Sequence, residues 1–506
     1  MVPAHRTRYP PVSMWSVVLV LALPQATPPP QPPVGESPAA VQDLTLLEAA
    51  RIALENDLGL KLAENTAEVS QYTYEGSWGS FDPSWRANAG YTDNENRNNN
   101  PFFGIDNIST QTLEVGTGLN LPLLTGGAVD LSFAQSNSDS NFALLERSVS
   151  QRVAFSFNQP LLRGGGTAFA TSTQRENEYR LRRQIESVRQ ARQDLLQRVA
   201  QTYWDLATAI EQAKVADETL ALGREQLTQN QRRLAAGVGT EVEVLQAETN
   251  VAQRVEQKLA REVTVRAAAD RLKGLMYPGT DASRWDRELR PATLLPDTDP
   301  ENVPSWNAAF AVALAERSEL RQQMFQIDES EEQLLRASSL RRSQLDFSFQ
   351  TSSSAIEQNE GDALKSSFSW EYPTYAAALN FSAPIGNRIA LGAEKSARAA
   401  VRAARLSYDQ LESQIVEEVR AAVRNTNYSI EAVRAAAAST QLARRQLAAE
   451  QARYREGLST NFQVLQFQQQ LAESLYSQTL ARANLAKALI ALRRSQGVLD
   501  PERFGL

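Results

Sequence analysis

Apolar and polar residues alternate along several short segments of the chain. In the clearest one, Leu113, Val115 and Thr117 face one way, and Glu114 and Gly116 face the other. This period of two is typical of β-strands. It recurs at 129–133, 153–157, 345–349, 368–372 and 375–381, with a phase shift at Pro373 that predicts a bulge. Alternation over about ten residues fits a transmembrane barrel strand, and it equally fits a half-buried sheet.

A second pattern, with apolar residues three and four positions apart, fills most of the remaining chain. It begins at Leu181, Ile185 and Val188, and no Pro or Gly interrupts residues 167–222. The pattern predicts a helix of about 65 residues, roughly 100 Å long, with a stripe that only partner helices can bury. Partner helices are predicted at 44–77 and 241–276. The same arrangement is predicted again later in the chain, with a long helix at 396–455 and partners at 305–342 and 460–495.

The chain repeats itself at two spacings. Residues 53–54 recur as 313–314, 260 positions later, and residues 233–246 recur as 453–466, 220 positions later. The first repeat therefore carries an insertion of about 40 residues. Two similar Pro-Leu-Leu-x-Gly-Gly segments bracket it, so we interpret residues 125–159 as a duplicated hairpin.

These patterns predict the order of the segments. The parts are a signal peptide (1–26), a Pro-rich tether (27–43), a first strand-helix repeat (44–276), an irregular equatorial connector (277–304), a second repeat (305–496) and a C-terminal tail (497–506). Strands are expected at about 84–162 and 344–383, and turns at the helical tips at about 234–240 and 454–460. The signal's apolar run is shorter than the roughly twenty residues that span a bilayer. A retained N-terminal anchor is the alternative.

Composition excludes several kinds of chemistry. The chain has no cysteine, and its one histidine, His5, lies in the predicted signal peptide. A thiol nucleophile, a thiolate metal site and a disulfide are thus absent, and no cofactor or metal is predicted. The net charge of −7 argues against nucleic acid as a partner. The three glycines at 164–166 lack the following Lys-Ser or Lys-Thr of a phosphate loop, so they are interpreted as a bend between strand and helix.

A signal peptide, two strand-helix repeats, a paired Gly-x-x-Thr turn and a Pro-rich connector together resemble the TolC family over residues 44–496. The resemblance implies an α+β membrane protein, in which a trimeric transmembrane β-barrel continues into a long periplasmic α-helical coiled-coil barrel built from two internal repeats. Four strands per chain is usual in the family. If the extra hairpin enters the wall, each chain supplies six strands and the trimer 18; otherwise the hairpin folds over the barrel mouth or into the lumen.

The resemblance also implies a function. The protein would be the outer-membrane exit duct of a tripartite efflux or type I secretion system, and it would passively conduct substrates from an inner-membrane pump and a periplasmic adaptor. The helical tips would form the periplasmic entrance and dock the adaptor. The residues implied for docking are Gly237, Val238, Thr240, Gly457, Leu458 and Thr460. These residues also have a structural role that any helical hairpin requires. The two glycines permit the chain to reverse, and the two threonines can cap the returning helices.

A periplasmic gate follows from the same resemblance. Relatives close the entrance with tyrosine and arginine links and acidic residues. The matching positions here are Tyr454, Ser459, Gln463, Gln466 and Glu243. The chain therefore keeps a tyrosine and a carboxylate but lacks the arginine and the acidic pair, which puts an arginine latch and a carboxylate ring in doubt. The alternative is that these residues are solvated helix surface.

Other classes of protein compete with the channel. A periplasmic coiled-coil scaffold or adaptor without a membrane pore would show the same helices, but it would not need the paired groups of strands. An enzyme is not expected, because no two carboxylates fall in a pocket-like context. Drug efflux and protein secretion use the same kind of channel, so the cargo is not assigned.

Overall fold

The structure of the protein, a computed structural model, describes residues 41–97, 107–141, 147–279, 281–296 and 303–503. The predicted signal peptide and the tether up to residue 40 lie outside the described residues. Among the residues described, no helix is both long enough and apolar enough to cross a membrane.

Long helices, one six-stranded antiparallel sheet and one two-stranded parallel sheet make up the described chain. The strands are β1 Val41–Leu44, β2 Ser84–Arg97, β3 Asn107–Pro122, β4 Ala128–Ser140, β5 Arg147–Pro160, β6 Glu288–Pro291, β7 Gln344–Glu357 and β8 Pro373–Ser382. The helices are α1 Leu46–Asn56, α2 Leu58–Ser77, α3 Thr167–Ala170, α4 Ser172–Ala235, α5 Glu241–Met276, α6 Ala282–Trp285, α7 Trp306–Glu316, α8 Ser318–Leu340, α9 Glu360–Phe368, α10 Arg388–Arg455 and α11 Asn461–Ser495.

Two helical hairpins dominate the fold. Helices α4 and α10 contain 64 and 68 residues, so each is about 100 Å long at roughly 1.5 Å per residue. Helix α5 returns beside α4, and α11 returns beside α10. Helices α1 and α2 also pack on α4, and α7 and α8 pack on α10. Each long helix therefore has a returning helix and a line of shorter helices beside it, as the sequence predicts. Helix α4 also contacts α8 and α11, and these contacts join the two halves of the helical region.

The shorter partner helices are broken where the sequence predicts continuous ones. Asp57 is extended, with φ −59° and ψ 125°, and its carboxylate accepts a hydrogen bond from the Leu60 amide at 2.8 Å. Arg317, which lies 260 positions later, interrupts the other pair in the same conformation, with φ −69° and ψ 121°. The prediction of unbroken helices at 44–77 and 305–342 was wrong at these two points. Asp57 favours the N-cap position of a helix because its carboxylate accepts a hydrogen bond from a backbone amide that has no partner within the helix.

Six strands form one sheet in the order β2-β3-β4-β5-β7-β8, with every neighbour antiparallel. Residues paired across the strands share a face. One such row consists of Trp85, Leu119, Leu131, Phe155, Thr351 and Tyr375. On the opposite face, Arg86 reaches over Gly118 to pair with Asp130 at 2.8 Å. The sheet thus has one largely apolar face and one polar face.

The predicted extra hairpin lies within this sheet. Its strands are β4 and β5, which stand between β3 and β7 in continuous register. The chain therefore contributes six strands side by side. The hairpin does not fold over the end of the sheet or onto its polar face.

The alternation at 368–372 does not mark a strand, and this prediction was wrong. Residues 360–368 form helix α9, and Asn359 caps it by accepting a hydrogen bond from the Asp362 amide at 2.9 Å. Strand β8 begins at Pro373, so no bulge is needed to explain the change of phase. A proline at the first position of an edge strand loses no ladder hydrogen bond.

The connector between the repeats is more ordered than predicted. Strand β6 pairs in parallel with β1, so residues 41–43, assigned to the tether, belong to a two-stranded sheet. Tyr203 fastens this sheet to α4. Its hydroxyl donates to the Leu44 carbonyl at 2.9 Å and accepts from the Thr293 amide at 3.0 Å. Four-residue strands are too short to show a period, which explains why the sequence pattern missed them.

Candidate functional site

The two helical tips have the same backbone geometry. Gly237 and Gly457 adopt φ values of 75° and 74°, a left-handed conformation that glycine enters without steric cost. At the first tip, the Val238 amide donates to the Arg233 carbonyl at 3.0 Å and the Gly237 amide to the Leu234 carbonyl at 2.9 Å. This pair of bonds is a Schellman motif.

The second tip repeats the motif. The Leu458 amide donates to the Arg453 carbonyl at 2.9 Å, and the Gly457 amide donates to the Tyr454 carbonyl at 3.1 Å. Both long helices therefore end by the same local mechanism, 220 residues apart. That the two halves of the chain are copies of one unit remains a prediction.

Threonine caps the returning helix at each tip, as the sequence predicts. Thr240 accepts from the Glu243 amide at 3.3 Å, and the Glu243 carboxylate accepts from the Thr240 amide at 3.0 Å. Thr460 and Gln463 form the equivalent capping box, with both hydrogen bonds at 3.4 Å. Each box satisfies two amides that the helix leaves unpaired. Glu243 and Gln463, both candidate gate residues, therefore already have structural partners.

Several apolar side chains are exposed at the tips. Val238 and Leu458 are 66% and 71% exposed, which is unusual for aliphatic side chains at the end of a charged helical rod. Three further apolar side chains near the turns are also exposed: Val242, Leu245 and Phe462. We call these five residues the tip patch. Sequence reasoning found the two turn residues but missed the other three, although Val242 and Phe462 occupy equivalent repeat positions.

A buried polar cluster lies behind the tip patch. The side chain of Asn230 on α4 donates to Oδ1 of Asn461 at 2.9 Å and to the Glu243 carbonyl at 3.0 Å. Nε2 of Gln226 lies 3.0 Å from Oδ1 of Asn230 and 3.1 Å from that of Asn461. Nδ2 of Asn461 completes the cluster with Oε1 of Gln246 at 3.2 Å. These amides join α4 and α5 of the first hairpin to α11 of the second.

Tyr454 brings the fourth tip helix, α10, into this cluster. It is 1% exposed, and its hydroxyl donates to Oδ1 of Asn230 at 3.0 Å. The Arg233 guanidinium carbon lies 4.8 Å from the centre of the tyrosine ring. Burial raises the pKa of the Tyr454 hydroxyl, the negative charge of Glu243 adds to the rise, and Arg233 opposes it. Tyr454 is therefore a buried neutral donor rather than solvated helix surface.

Of the other predicted gate residues, Glu243 contributes its backbone carbonyl to the buried cluster, whereas Ser459, Gln463 and Gln466 lie outside it. The Ser459 hydroxyl contacts the carboxylate of Glu450 and Oε1 of Gln463, the latter at 2.8 Å. The side chain of Gln466 is exposed. The structure thus separates Tyr454 from Ser459 and Gln466 and unites it with residues that the sequence reasoning did not select. Those residues are Gln226, Asn230 and Asn461.

A charged cluster ties the helices together near the connector. The Arg494 side chain pairs with Asp194 and Glu319, both at 2.7 Å. Arg317 pairs with the same Glu319 at 3.3 Å and also with Glu418. Burial alone would raise the pKa of Glu319, but the attraction of Arg494 and Arg317 outweighs it and leaves that pKa below its usual value. The cluster connects α4, α8, α10 and α11.

The described residues contain no group of three or more His, Cys, Asp or Glu side chains that could hold a metal ion.

Comparison with known proteins gives a family and a fold. The sequence matches the outer membrane efflux protein family over residues 128–276 and 310–498, which is more than half of the chain. A comparison with curated proteins gives no match.

Several solved structures resemble this one at low sequence identity. The CmeC outer membrane channel of Campylobacter jejuni aligns with a TM-score of 0.64 and 15% identity, over 90% of this chain and 88% of its own. The outer membrane protein VceC of Vibrio cholerae gives 0.65 and 15%, over 89% and 96%. The open state of the MtrE outer membrane channel of Neisseria gonorrhoeae gives 0.61 and 16%, over 90% and 89%. At such identities the likeness establishes the fold, and the family match establishes membership: this chain belongs to the outer membrane efflux protein family.

Proposed function

We propose that this protein is the outer-membrane channel of a tripartite efflux or type I secretion system. One observation carries the proposal. The six-stranded sheet has a largely apolar face and two unpaired edge strands, and it continues into helical hairpins about 100 Å long. A sheet that spans the outer membrane and helices that cross the periplasm would use both features. The family is one of transport channels rather than enzymes.

The two faces of the sheet suit lipid and water. Phe349, Phe157 and Val129 continue the apolar face in a second row beside the row of Leu131. In a membrane these side chains would meet the acyl chains, whereas the face carrying Arg86, Asp130 and its neighbours would line a lumen. Alternation of this kind is the pattern of a transmembrane barrel.

The open edges of the sheet argue for a trimer. Within the part of the chain that the structure describes, strands β2 and β8 each pair on one side only, and all of their residues are exposed in the single chain. Unpaired strand edges are not tolerated in lipid. Closure between β8 of one chain and β2 of the next, in the three chains that the family resemblance implies, would give 18 strands. Because barrel diameter grows with strand number, the outer pore would be wider than in four-strand relatives.

The helices also need neighbouring chains. Helix α5 exposes Leu259 and Val263, and α10 exposes Leu406 and Leu442. In a closed helical tunnel these side chains would pack between protomers, as stripes of long helices do in coiled coils. The tunnel would be the periplasmic part of the duct.

The tip patch is the proposed docking surface for the periplasmic adaptor. Its five apolar side chains lie at the end of the hairpins that points away from the sheet, where an inner-membrane pump and its adaptor would meet the duct. Exposed apolar residues rimmed by charge, here Arg232 and Glu241 among others, mark contact surfaces between proteins.

We further propose that the amide cluster takes the place of an arginine latch. Tyr454 and Asn230 would hold the two hairpins of each chain together in the closed entrance. Ser459, Gln463 and Gln466 would line the entrance outside that cluster, beside the carboxylate of Glu243, whose backbone carbonyl belongs to the cluster. Neutral amides give hydrogen bonds without a fixed charge, so passing ions would meet no ring of carboxylates at the positions of Gln463 and Gln466.

A periplasmic scaffold without a pore is the second candidate, since it accounts for the helices alone. The test is to purify the protein in mild detergent, measure its mass and insert it into planar bilayers. We expect particles of three chains that give stepwise conductance. Single chains without conductance would contradict the channel and favour the scaffold.

A further inference from the structure

Helix α9 lies on the apolar face of the sheet, at the ends of the strands that point away from the long helices. The rings of Phe368 and Phe133 stack with their centres 6.3 Å apart and their planes 24° from parallel. At the other end of α9, Glu360 accepts a hydrogen bond from the Asn137 side chain at 3.0 Å. Phe133 and Asn137 both belong to the apolar face of β4 by register, so α9 covers that face from the outside.

The residues beneath α9 explain its position. The apolar face becomes polar beyond Phe133, at Gln135 and Asn137 on β4 and at Gln151 on β5. Gln151 is 2% exposed, and Nε2 of its side chain donates to Oε1 of Gln135 at 2.8 Å and to the Glu360 carbonyl at 3.3 Å. The helix therefore shields a polar band that adjoins the apolar one.

The outer side of α9 is apolar as well. Ala363 and Ser367 point toward the sheet and are fully buried. Leu364 and Phe368 lie on the flank beside them and are 45% and 63% exposed, although the Phe368 ring also stacks on Phe133. Tyr372 follows and is exposed as well. Leu364 and Phe368 are four residues apart and so form one stripe. Lys365 and Asp362 are exposed beside them. A short helix with a charged flank and an aromatic stripe suits the boundary between lipid headgroups and acyl chains.

We propose that α9 is an interfacial anchor that rests in the outer leaflet of the membrane. Leu364, Phe368 and Tyr372 enter the boundary between headgroups and acyl chains, and the helix fixes how far the sheet sinks into the bilayer. The occupant is lipid, because the outer side of α9 continues the apolar face of the sheet at the row of Phe133. This inference rests on the proposed function, since it requires the sheet to span a membrane.

Spin labels test the anchor in the whole protein, whose natural sequence has no cysteine to remove. Single cysteines replace Leu364, Phe368, the mid-face residue Val129 and the tip residue Leu458. Each labelled protein is reconstituted in phosphatidylcholine–phosphatidylglycerol vesicles, and its access to oxygen and to a water-soluble nickel chelate is measured. We expect positions 364 and 368 to give an oxygen-to-nickel ratio between that of 129, deep in lipid, and that of 458, in water.

Each other outcome overturns a defined part of the account. If position 129 reports lipid while 364 and 368 match the tip, α9 faces water and the anchor is wrong although the membrane-spanning sheet stands. If 364 and 368 are closed to both reagents, another protein surface covers α9, and the anchor is again wrong. If 129 itself reports water, the sheet does not span the membrane, and both proposals fail. Lys365→Cys serves as the matched control and should show more nickel access than Leu364→Cys.

Discussion

The hydroxyl of Tyr454 donates a hydrogen bond to Oδ1 of Asn230 at 3.0 Å, and this bond joins α10 of the second hairpin to α4 of the first. It belongs to a cluster in which side chains from all four tip helices meet. The two hairpins can separate at the entrance only if this cluster opens.

Replacing Tyr454 with phenylalanine should loosen the tips. The change removes one buried hydrogen bond and costs about 1 kcal/mol, because Gln226 still satisfies Asn230. Hydrogen exchange of the amides in residues 230–240 should then become about five times faster. Tyr428→Phe is the matched control, since Tyr428 is exposed on the same helix. Equal exchange in both variants would show that the bond does not hold the tips.

Glu319 should matter far more than an exposed carboxylate. Glu319→Gln leaves Arg494 and Arg317 buried with fewer counter-charges, so we expect a loss of about 3 kcal/mol. Glu331→Gln removes an exposed ion pair with Arg405 and should cost less than about 1 kcal/mol. Thermal denaturation in mild detergent compares the two. Equal midpoints would contradict a stabilising role of the charged cluster.

The same cluster predicts a loss of stability in acid. The pKa of Glu319 is lower in the folded protein than its usual value, so its contribution is complete above about pH 4.3 and disappears as pH falls through the lowered value. The stability difference between wild type and Glu319→Gln should therefore shrink below about pH 4. A difference that is constant across that range would show that the carboxylate charge is not responsible.

Polar substitutions on the tip patch should impair export without unfolding the protein. Val238→Ser and Leu458→Ser change exposed side chains, so the folded channel should remain in the membrane while adaptor docking weakens. Leu294→Ser is the control, because Leu294 is an equally apolar, exposed residue in the connector. Export assays with matched channel amounts should fall for the tip double variant only. Undiminished export would remove the tip patch from the docking surface.

The sequence predicted the features that local rules determine. Gly237, Gly457 and the two capping threonines follow from backbone conformation and helix-end hydrogen bonding, and the structure places them as expected. The long helices follow from their period and the absence of breakers. The same reasoning located the strands of the extra hairpin, because β4 and β5 alternate as cleanly as their neighbours.

Features that depend on distant partners were not predictable in this way. Asn230 and Asn461 are ordinary polar residues in a helical pattern until the two hairpins meet, 231 positions apart in sequence. Strand β1 needs β6, whose paired residues lie 247 positions later. The segment 368–372 was mistaken for a strand because Phe368, Trp370 and Tyr372 alternate by coincidence, whereas it forms the end of α9 and the turn that follows. The cap at Asn359 and contacts with the sheet decide the conformation of α9.

The central claim is that all six strands form a wall with lipid on one side and water on the other. Spin labels placed singly at Leu131 and Ser132, neighbours on strand β4 of the extra hairpin, test it most directly. We predict that oxygen from the lipid reaches the label at 131 and that the nickel chelate in water reaches the label at 132. Equal aqueous access at both positions would contradict the 18-strand channel.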